Sequence, residues 1–290
     1  MNHFEQRRGI ILAALALPLA GCVAPVQREN AAFAAAIAQL ETIHGGRLGV
    51  AAFDTGSRRW LQYRADERFP MCSTFKIIPA AAMLARGDEL INLRIHYGKE
   101  DLLPNSPITE KHLLDGMSNA DLCAATLQYS DNAAANLLMK QLGGPAGMTA
   151  FARSRGDGIF QLDRWETELN SAIPGDPRDT TSPLAMLQTL QKLTLGDGLP
   201  GPARTTLLNW MFANTTGNQR MRAGVPAGWK VADKTGGGSY GTNNSIGLLF
   251  PPSRPPIVAA VFHTQDQKEA SAKNEVIAAA TRAVVEAMRG

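Results

Sequence analysis

The sequence predicts an α+β fold in which both ends of the chain build one antiparallel sheet around an inserted helical block. Three observations carry this: short β-rich runs cluster near the two ends, helical periodicity fills the middle, and apolar helical patterns open and close the chain. The expected architecture is a five-stranded antiparallel sheet flanked by N- and C-terminal helices, an α/β sandwich. Its parts are residues 22–64 plus 213–290, with residues 65–212 forming an all-helical domain.

The elements follow in order. Asn30 to His44 is Ala-rich with Phe33, Ile37, Leu40 and Ile43 at helical spacing, and Gly45-Gly46 ends it. Leu48 to Phe53 and Trp60 to Tyr63 flank Asp54-Thr55-Gly56-Ser57, turn residues between apolar runs that signal a hairpin. From Ser73 to about Met211 the pattern is helical, with runs at Ile77 to Ala85, Leu122 to Leu142 and Pro183 to Leu193. Strands return at Val225 to Ala232, Ser245 to Phe250 and Ile257 to His263, and Glu269 to Met288 reads as the closing helix.

Of 290 residues, 44% are hydrophobic and 19% charged, too apolar for a disordered chain. A net charge of +3 without a basic run lacks the clustered Lys/Arg stripe of a nucleic-acid partner. The cysteines at 22, 72 and 123 are too few for a disulfide scaffold, and His96, His112 and His263 are isolated, so no metal or other cofactor is predicted.

The first residues read as an address. Arg7 and Arg8 precede the apolar run Ile10 to Ala20, which is too short to span a bilayer and closes on Leu19-Ala20-Gly21-Cys22. Residues 1–21 are therefore predicted to be a signal peptide. Cys22 becomes a lipid anchor if the lipobox-like end is read as one; cleavage a few residues further on is the alternative.

Three motifs carry chemistry. Ser73-Thr74-Phe75-Lys76 puts a hydroxyl and an ammonium three residues apart at a helix start, on one face. Alone the pattern is weak, since a helix-capping Ser followed by a solvated Lys looks the same. Ser130-Asp131-Asn132 precedes an apolar helix with a hydroxyl, a capping carboxylate and an amide. Lys234-Thr235-Gly236-Gly237 follows a strand-like run, with glycines that permit close backbone approach. In this order the three are specific.

The sequence resembles the class A serine β-lactamases, which share this triple with penicillin-binding proteins, and the resemblance covers essentially all of the chain after the signal peptide. Residues 161–179, with Arg164-Trp165-Glu166-Thr167-Glu168-Leu169-Asn170 and Asp179, look like the family's Ω loop, closed at its neck by an Arg–Asp ion pair. The resemblance implies hydrolysis of penicillins and cephalosporins through a covalent acyl-enzyme. Ser73 would attack, with Lys76 or Glu166 taking its proton, and the backbone N–H groups of Ser73 and Gly237 would hold the oxyanion. Ser130 would protonate the leaving nitrogen, Asn132 would hold the substrate side-chain amide, and Lys234, Thr235 and Arg220 its carboxylate. Glu166, with Asn170 orienting the water, would clear the acyl-enzyme.

The chain also departs from the family. Gly241-Thr242-Asn243-Asn244 lacks the arginine many relatives carry there, and Arg220 is expected to substitute. The rim Pro104-Asn105-Ser106 lacks the usual aromatic ring, and Thr167 stands where proline, after a cis peptide, is common. In carbapenem-hydrolysing relatives a cysteine like Cys72 pairs with one after the Lys-Thr-Gly motif, where Gly237-Gly238-Ser239 has none. Cys123 lacks its familiar partner because Ala80 holds that position. Both are thus expected as buried free thiols, and carbapenem hydrolysis is not favoured. A penicillin-binding DD-peptidase and a non-hydrolysing β-lactam-binding lipoprotein are the alternatives: Glu166 and Asn170 argue against the first, and the full set of catalytic groups, with no transmembrane signalling segment expected after the signal peptide, against the second. A monomer in the periplasm of a Gram-negative bacterium is expected.

Overall fold

The computed structural model describes residues 25–289; the segment read as a signal peptide and Cys22 lie outside the described residues. The chain opens with helix α1 (Pro25–His44) and strands β1 (Arg47–Asp54) and β2 (Trp60–Tyr63). A short strand β3 (Phe69–Pro70) leads into a 3-10 turn, Cys72–Lys76, and the helices α2 (Ile77–Leu84) and α3 (Asp88–Ile91). Strands β4 (Arg94–Ile95) and β5 (Met117–Ser118) pair before α4 (Asn119–Gln128), α5 (Asn132–Gln141) and α6 (Gly144–Ser154). Strand β6 (Thr180–Thr181) pairs with β3 and is followed by α7 (Pro183–Thr194), α8 (Gly201–Phe212) and α9 (Met221–Gly224). The chain closes with β7 (Lys230–Gly237), β8 (Asn243–Phe250), β9 (Ile257–Thr264) and α10 (Asn274–Ala287).

The main sheet runs β2-β1-β9-β8-β7, with every pair antiparallel, so the two chain ends do share one sheet. Arg47 pairs with Thr264 and Asp54 with Ile257. The hairpin turn forms because Asp54 Oδ1 accepts the backbone N–H groups of Gly56 (2.8 Å) and Ser57 (3.3 Å), as short acceptors do in tight turns. The helix before it stops where Gly45 and Gly46 adopt φ of 71° and 80°.

Both faces of the sheet are covered, which is why β1, β8 and β9 are buried almost throughout rather than at alternate residues. On one face α1 and α10 bury Phe33, Ile37, Ile277 and Val284 against Leu48, Val50 and Val261. On the other, Phe69, Phe75 and Phe262 join Leu187 and Leu190 in the core shared with the helices between β3 and β7. Phe69 and Phe262 meet with ring centroids 6.0 Å apart. Each fully buried side chain of this size contributes about 1.5–3 kcal/mol.

Four boundaries differ from the sequence reading. The run Leu122 to Leu142 is two helices, because Ser130 takes φ 59° and Asp131 caps a new one, its carboxylate accepting Ala134 N–H at 2.9 Å. Val225 to Trp229 is not strand: Pro226 and Gly228, at φ 84°, make a turn, and β7 runs on through Lys234 to Gly237. The Lys-Thr-Gly motif thus lies inside a strand rather than after one. The closing helix begins at Asn274, five residues late, and the opening helix already runs from Pro25.

Cys72 and Cys123 are buried free thiols, and burial raises the pKa of both. With Cys22 replaced by serine, a thiol-reactive dye at pH 8 should label neither in the native protein and both in denaturant. A count of zero in denaturant would mean a disulfide.

Candidate active site

The nucleophile segment is anchored from behind. Met71 N–H donates to the carbonyl of Asp179 at 2.9 Å, and Cys72 adopts φ 45°, a left-handed conformation that costs a non-glycine residue about 1–3 kcal/mol. The 3-10 turn that follows eclipses residues three apart, so Ser73 and Lys76 share an edge as predicted. Of the two acceptors expected for the Ser73 proton, Lys76 and Glu166, the carboxylate is the one in hydrogen-bond contact with the hydroxyl. The Lys76 ammonium has three near acceptors, Asn132 Oδ1 (2.6 Å), Ser130 O (2.7 Å) and Glu166 Oε1 (3.0 Å), one for each N–H, and Ser130 Oγ at 3.4 Å shares one of them. Ser73 Oγ donates to Glu166 Oε1 instead, at 3.3 Å.

The turn between α4 and α5 supplies the second group. Asp131 is fully buried and accepts from the N–H groups of Ile108 and Thr109, both at 3.0 Å, besides capping α5. The carbonyl of Ser130 accepts from Lys76 and from Asn105 Nδ2 (3.1 Å), which holds its left-handed backbone in place. Its hydroxyl receives Lys234 Nζ at 3.1 Å and Lys76 Nζ at 3.4 Å. Asn132 is tied by Nδ2 to the carbonyl of Pro104 at 2.7 Å.

Strand β7 brings the third motif against the nucleophile turn. A Cβ at Gly236 would stand 2.8 Å from Met71 O and 3.1 Å from Thr74 N, so only glycine lets the two backbones approach this closely. Gly238 is packed in the same way, its missing Cβ 2.5 Å from Asn170 O and 2.7 Å from Cys72 Sγ. Lys234 has no exposed surface, and burial followed by the charges of Lys76 and Arg220 pushes its pKa well down. Burial likewise lowers that of Lys76, opposed by Glu166. Arg220 reaches this strand from the residue before α9, donating to Gly236 O (2.7 Å), Asn244 O (3.1 Å) and Asn274 Oδ1 (3.0 Å); burial lowers its pKa to about 10.

The fourth group is the loop of residues 161–179. At its neck Arg164 Nε meets Asp179 Oδ2 at 2.5 Å, while Asp179 Oδ1 accepts the N–H groups of Asp163 and Arg164. Inside it, the peptide between Glu166 and Thr167 is cis, and Asn170 Nδ2 donates to Glu166 Oε2 at 2.5 Å. The ten predicted residues lie on segments that these contacts join: the nucleophile turn, the turn before α5, the loop of residues 161–179, and β7 with Arg220 beside it.

Several supporting residues carry no motif. Asn136 holds the backbone of Glu166 at both ends, accepting its N–H (3.1 Å) and donating to its carbonyl (3.0 Å). It sits four residues after Asn132, so the i, i+4 spacing of two asparagines was the available signal. Asp233, beside Lys234, is buried and paired with Arg222 at 2.8 Å.

Comparison with known proteins identifies the family. Residues 32–288 match the β-lactamase enzyme family. Similar proteins include the carbapenem-hydrolyzing β-lactamase KPC of Klebsiella oxytoca, 53% identical over 97% of both chains. Another is β-lactamase Toho-1 of Escherichia coli, 47% identical over 96% of this chain and 97% of its own. Among solved structures, a β-lactamase from Desulfarculus baarsii superposes with a TM-score of 0.89 at 50% identity, covering 90% of this chain and 98% of that one. A variant of the last common ancestor of Gram-negative class A β-lactamases gives 0.86 at 55% identity, covering 89% and 98%. The chain belongs to the β-lactamase enzyme family and is a class A serine β-lactamase.

Proposed function

We propose that the enzyme, which hydrolyses β-lactams and so confers resistance to them, opens penicillins and cephalosporins through an acyl-enzyme on Ser73. The observation that carries this reading is the contact from Ser73 Oγ to Glu166 Oε1, because it joins the nucleophile directly to a carboxylate. With its three N–H groups occupied, Lys76 acts as an ammonium, and Glu166 is the base.

In acylation, the Ser73 proton passes to Glu166 as Oγ bonds to the lactam carbonyl carbon. The N–H groups of Ser73 and Gly237 stabilise the oxyanion, each worth about 3–4 kcal/mol in comparable sites. The Ser130 oxygen accepts from two ammonium groups, so its own proton is left for the departing lactam nitrogen. Lys76, between Glu166 and Ser130, then returns the proton from the first to the second. Glu166 is again a carboxylate, and with Asn170 it activates the water that breaks the acyl ester and frees Ser73. Lys234, Thr235 and Arg220 hold the substrate carboxylate, and Asn132 its side-chain amide.

The organisation that goes with this is an exported chain: a signal peptide at 1–21, a discontinuous domain of 22–64 plus 213–290, and a helical domain of 65–212. The site of action is the periplasm of a Gram-negative bacterium, as a monomer, with or without a lipid at Cys22. Carbapenem hydrolysis is a second reading, supported by the 53% identity to a carbapenem-hydrolyzing relative; the lack of a cysteine partner for Cys72 weighs against it.

Steady-state kinetics on a penicillin, a cephalosporin, an oxyimino-cephalosporin and a carbapenem test both readings. Glu166→Ala should lower turnover of the penicillin by about 10²–10⁴-fold, the usual share of a general base, while mass spectrometry finds drug bound to Ser73. A Ser73 that stays unmodified both in the variant and in the wild type quenched during turnover would sink the acyl-enzyme. Arg220→Ala should raise KM by about 10–100-fold, as loss of a charged hydrogen bond predicts, with a smaller effect on kcat. An unchanged KM would remove Arg220 from carboxylate binding.

A further inference from the structure

Thr216 stands on the groove rim, in the segment between α8 and α9, and the mechanism above does not use it. It is an exposed residue, yet its hydroxyl is held at two points: 2.8 Å from Asn214 Oδ1 and 2.5 Å from Thr235 Oγ1. Its backbone N–H also donates to Asn214 Oδ1, at 3.0 Å. The neighbouring Thr215 is tied to the helices through N–H and Oγ1 on the carbonyl of Gln128, at 2.9 and 2.8 Å.

The direction of these bonds follows from counting protons. Asn214 is buried, and its Nδ2 donates to Asp233 Oδ2 at 2.9 Å, while the other carboxylate oxygen takes Arg222. That fixes the amide with its oxygen toward Thr216. An amide oxygen only accepts, so the single proton of the Thr216 hydroxyl goes to Asn214. In the contact between the two threonines the donor is therefore Thr235. Before substrate binds, the Thr235 proton points at Thr216 rather than into the groove.

A carboxylate also only accepts. For Thr235 to bind one, its proton must turn to the ligand, and Thr216 must turn its own proton from Asn214 to Thr235. The backbone N–H of Thr216 stays on Asn214 Oδ1, so the buried amide keeps a partner throughout. We propose that Thr216 is a positioning residue for substrate recognition: the Asn214–Thr216–Thr235 hydroxyl relay reverses its polarity when an anionic carboxylate enters, and so favours carboxylate substrates over their neutral esters. A hydroxyl that receives a hydrogen bond is a better donor, and donors gain most when the acceptor is charged. The inference rests on the reading that Thr235 binds the substrate carboxylate.

The test compares a chromogenic cephalosporin with its methyl ester on wild type, Thr216→Val, Thr216→Ser and Thr235→Val. Thr216→Val should lower kcat/KM for the free acid about tenfold, through KM, with the ester within about twofold; Thr216→Ser should restore the acid. A tenfold change corresponds to about 1.4 kcal/mol. The proposal is overturned if Thr216→Val leaves the acid unchanged or weakens acid and ester alike. Thr235→Val separates the two ways of failing. If it discriminates acid from ester and Thr216→Val does not, the relay is wrong; if neither does, the carboxylate assignment of Thr235 has failed as well.

Discussion

The site depends on the cost of burying the ammonium of Lys76. Taking such an ion out of water costs several kcal/mol even after relaxation, and only good geometry with every N–H satisfied offsets it. Here the three acceptors come from two places far along the chain: Glu166 from the loop of residues 161–179, and the Ser130 carbonyl and Asn132 amide from the turn before α5. One buried charge therefore holds three separate segments together. Asn136 and Asn170 then fix the carboxylate in contact with it, by its backbone and by its second oxygen.

A second buried cation gives the groove its polarity. Lys234 shares the Ser130 hydroxyl with Lys76, and Arg220 lies against the same strand, so three positive groups gather in a buried region where the carboxylates of Glu166, Asp131 and Asp233 oppose them. Burial and mutual repulsion lower the pKa of Lys234, which is tolerable in a site that an anionic ligand completes. The small net charge of the whole chain gives no hint of this local field.

Much of this could be read from the sequence, for definite reasons. The hairpin, the sharing of one sheet by both ends and the Ser73, Ser130 and Lys234 motifs depend on local pattern or fixed spacing. What the sequence hid depends on contact across the chain. The glycines after Thr235 read as permitting close approach, but that Gly236 lies inside β7 and that what approaches it is the nucleophile turn could be seen only in the fold. Spacing placed Lys76 beside Ser73, but acceptors brought in by other segments took its N–H groups. Asn136, Asn214 and the Asp233–Arg222 pair are single polar residues whose significance comes only from the partner opposite them.

The pairing of β1 with β9 sets a timetable for the enzyme. Strand β1 lies near the start of the described chain and finds its inner partner more than two hundred residues later, at Ile257–Thr264. Contacts so distant in sequence form late, because loop closure must be met before they stabilise anything. The motif strand β7 joins the sheet only through β8, which itself lies on β9. A chain still being synthesised therefore lacks the wall that carries Lys234, and the site is complete only once the last strand is in place.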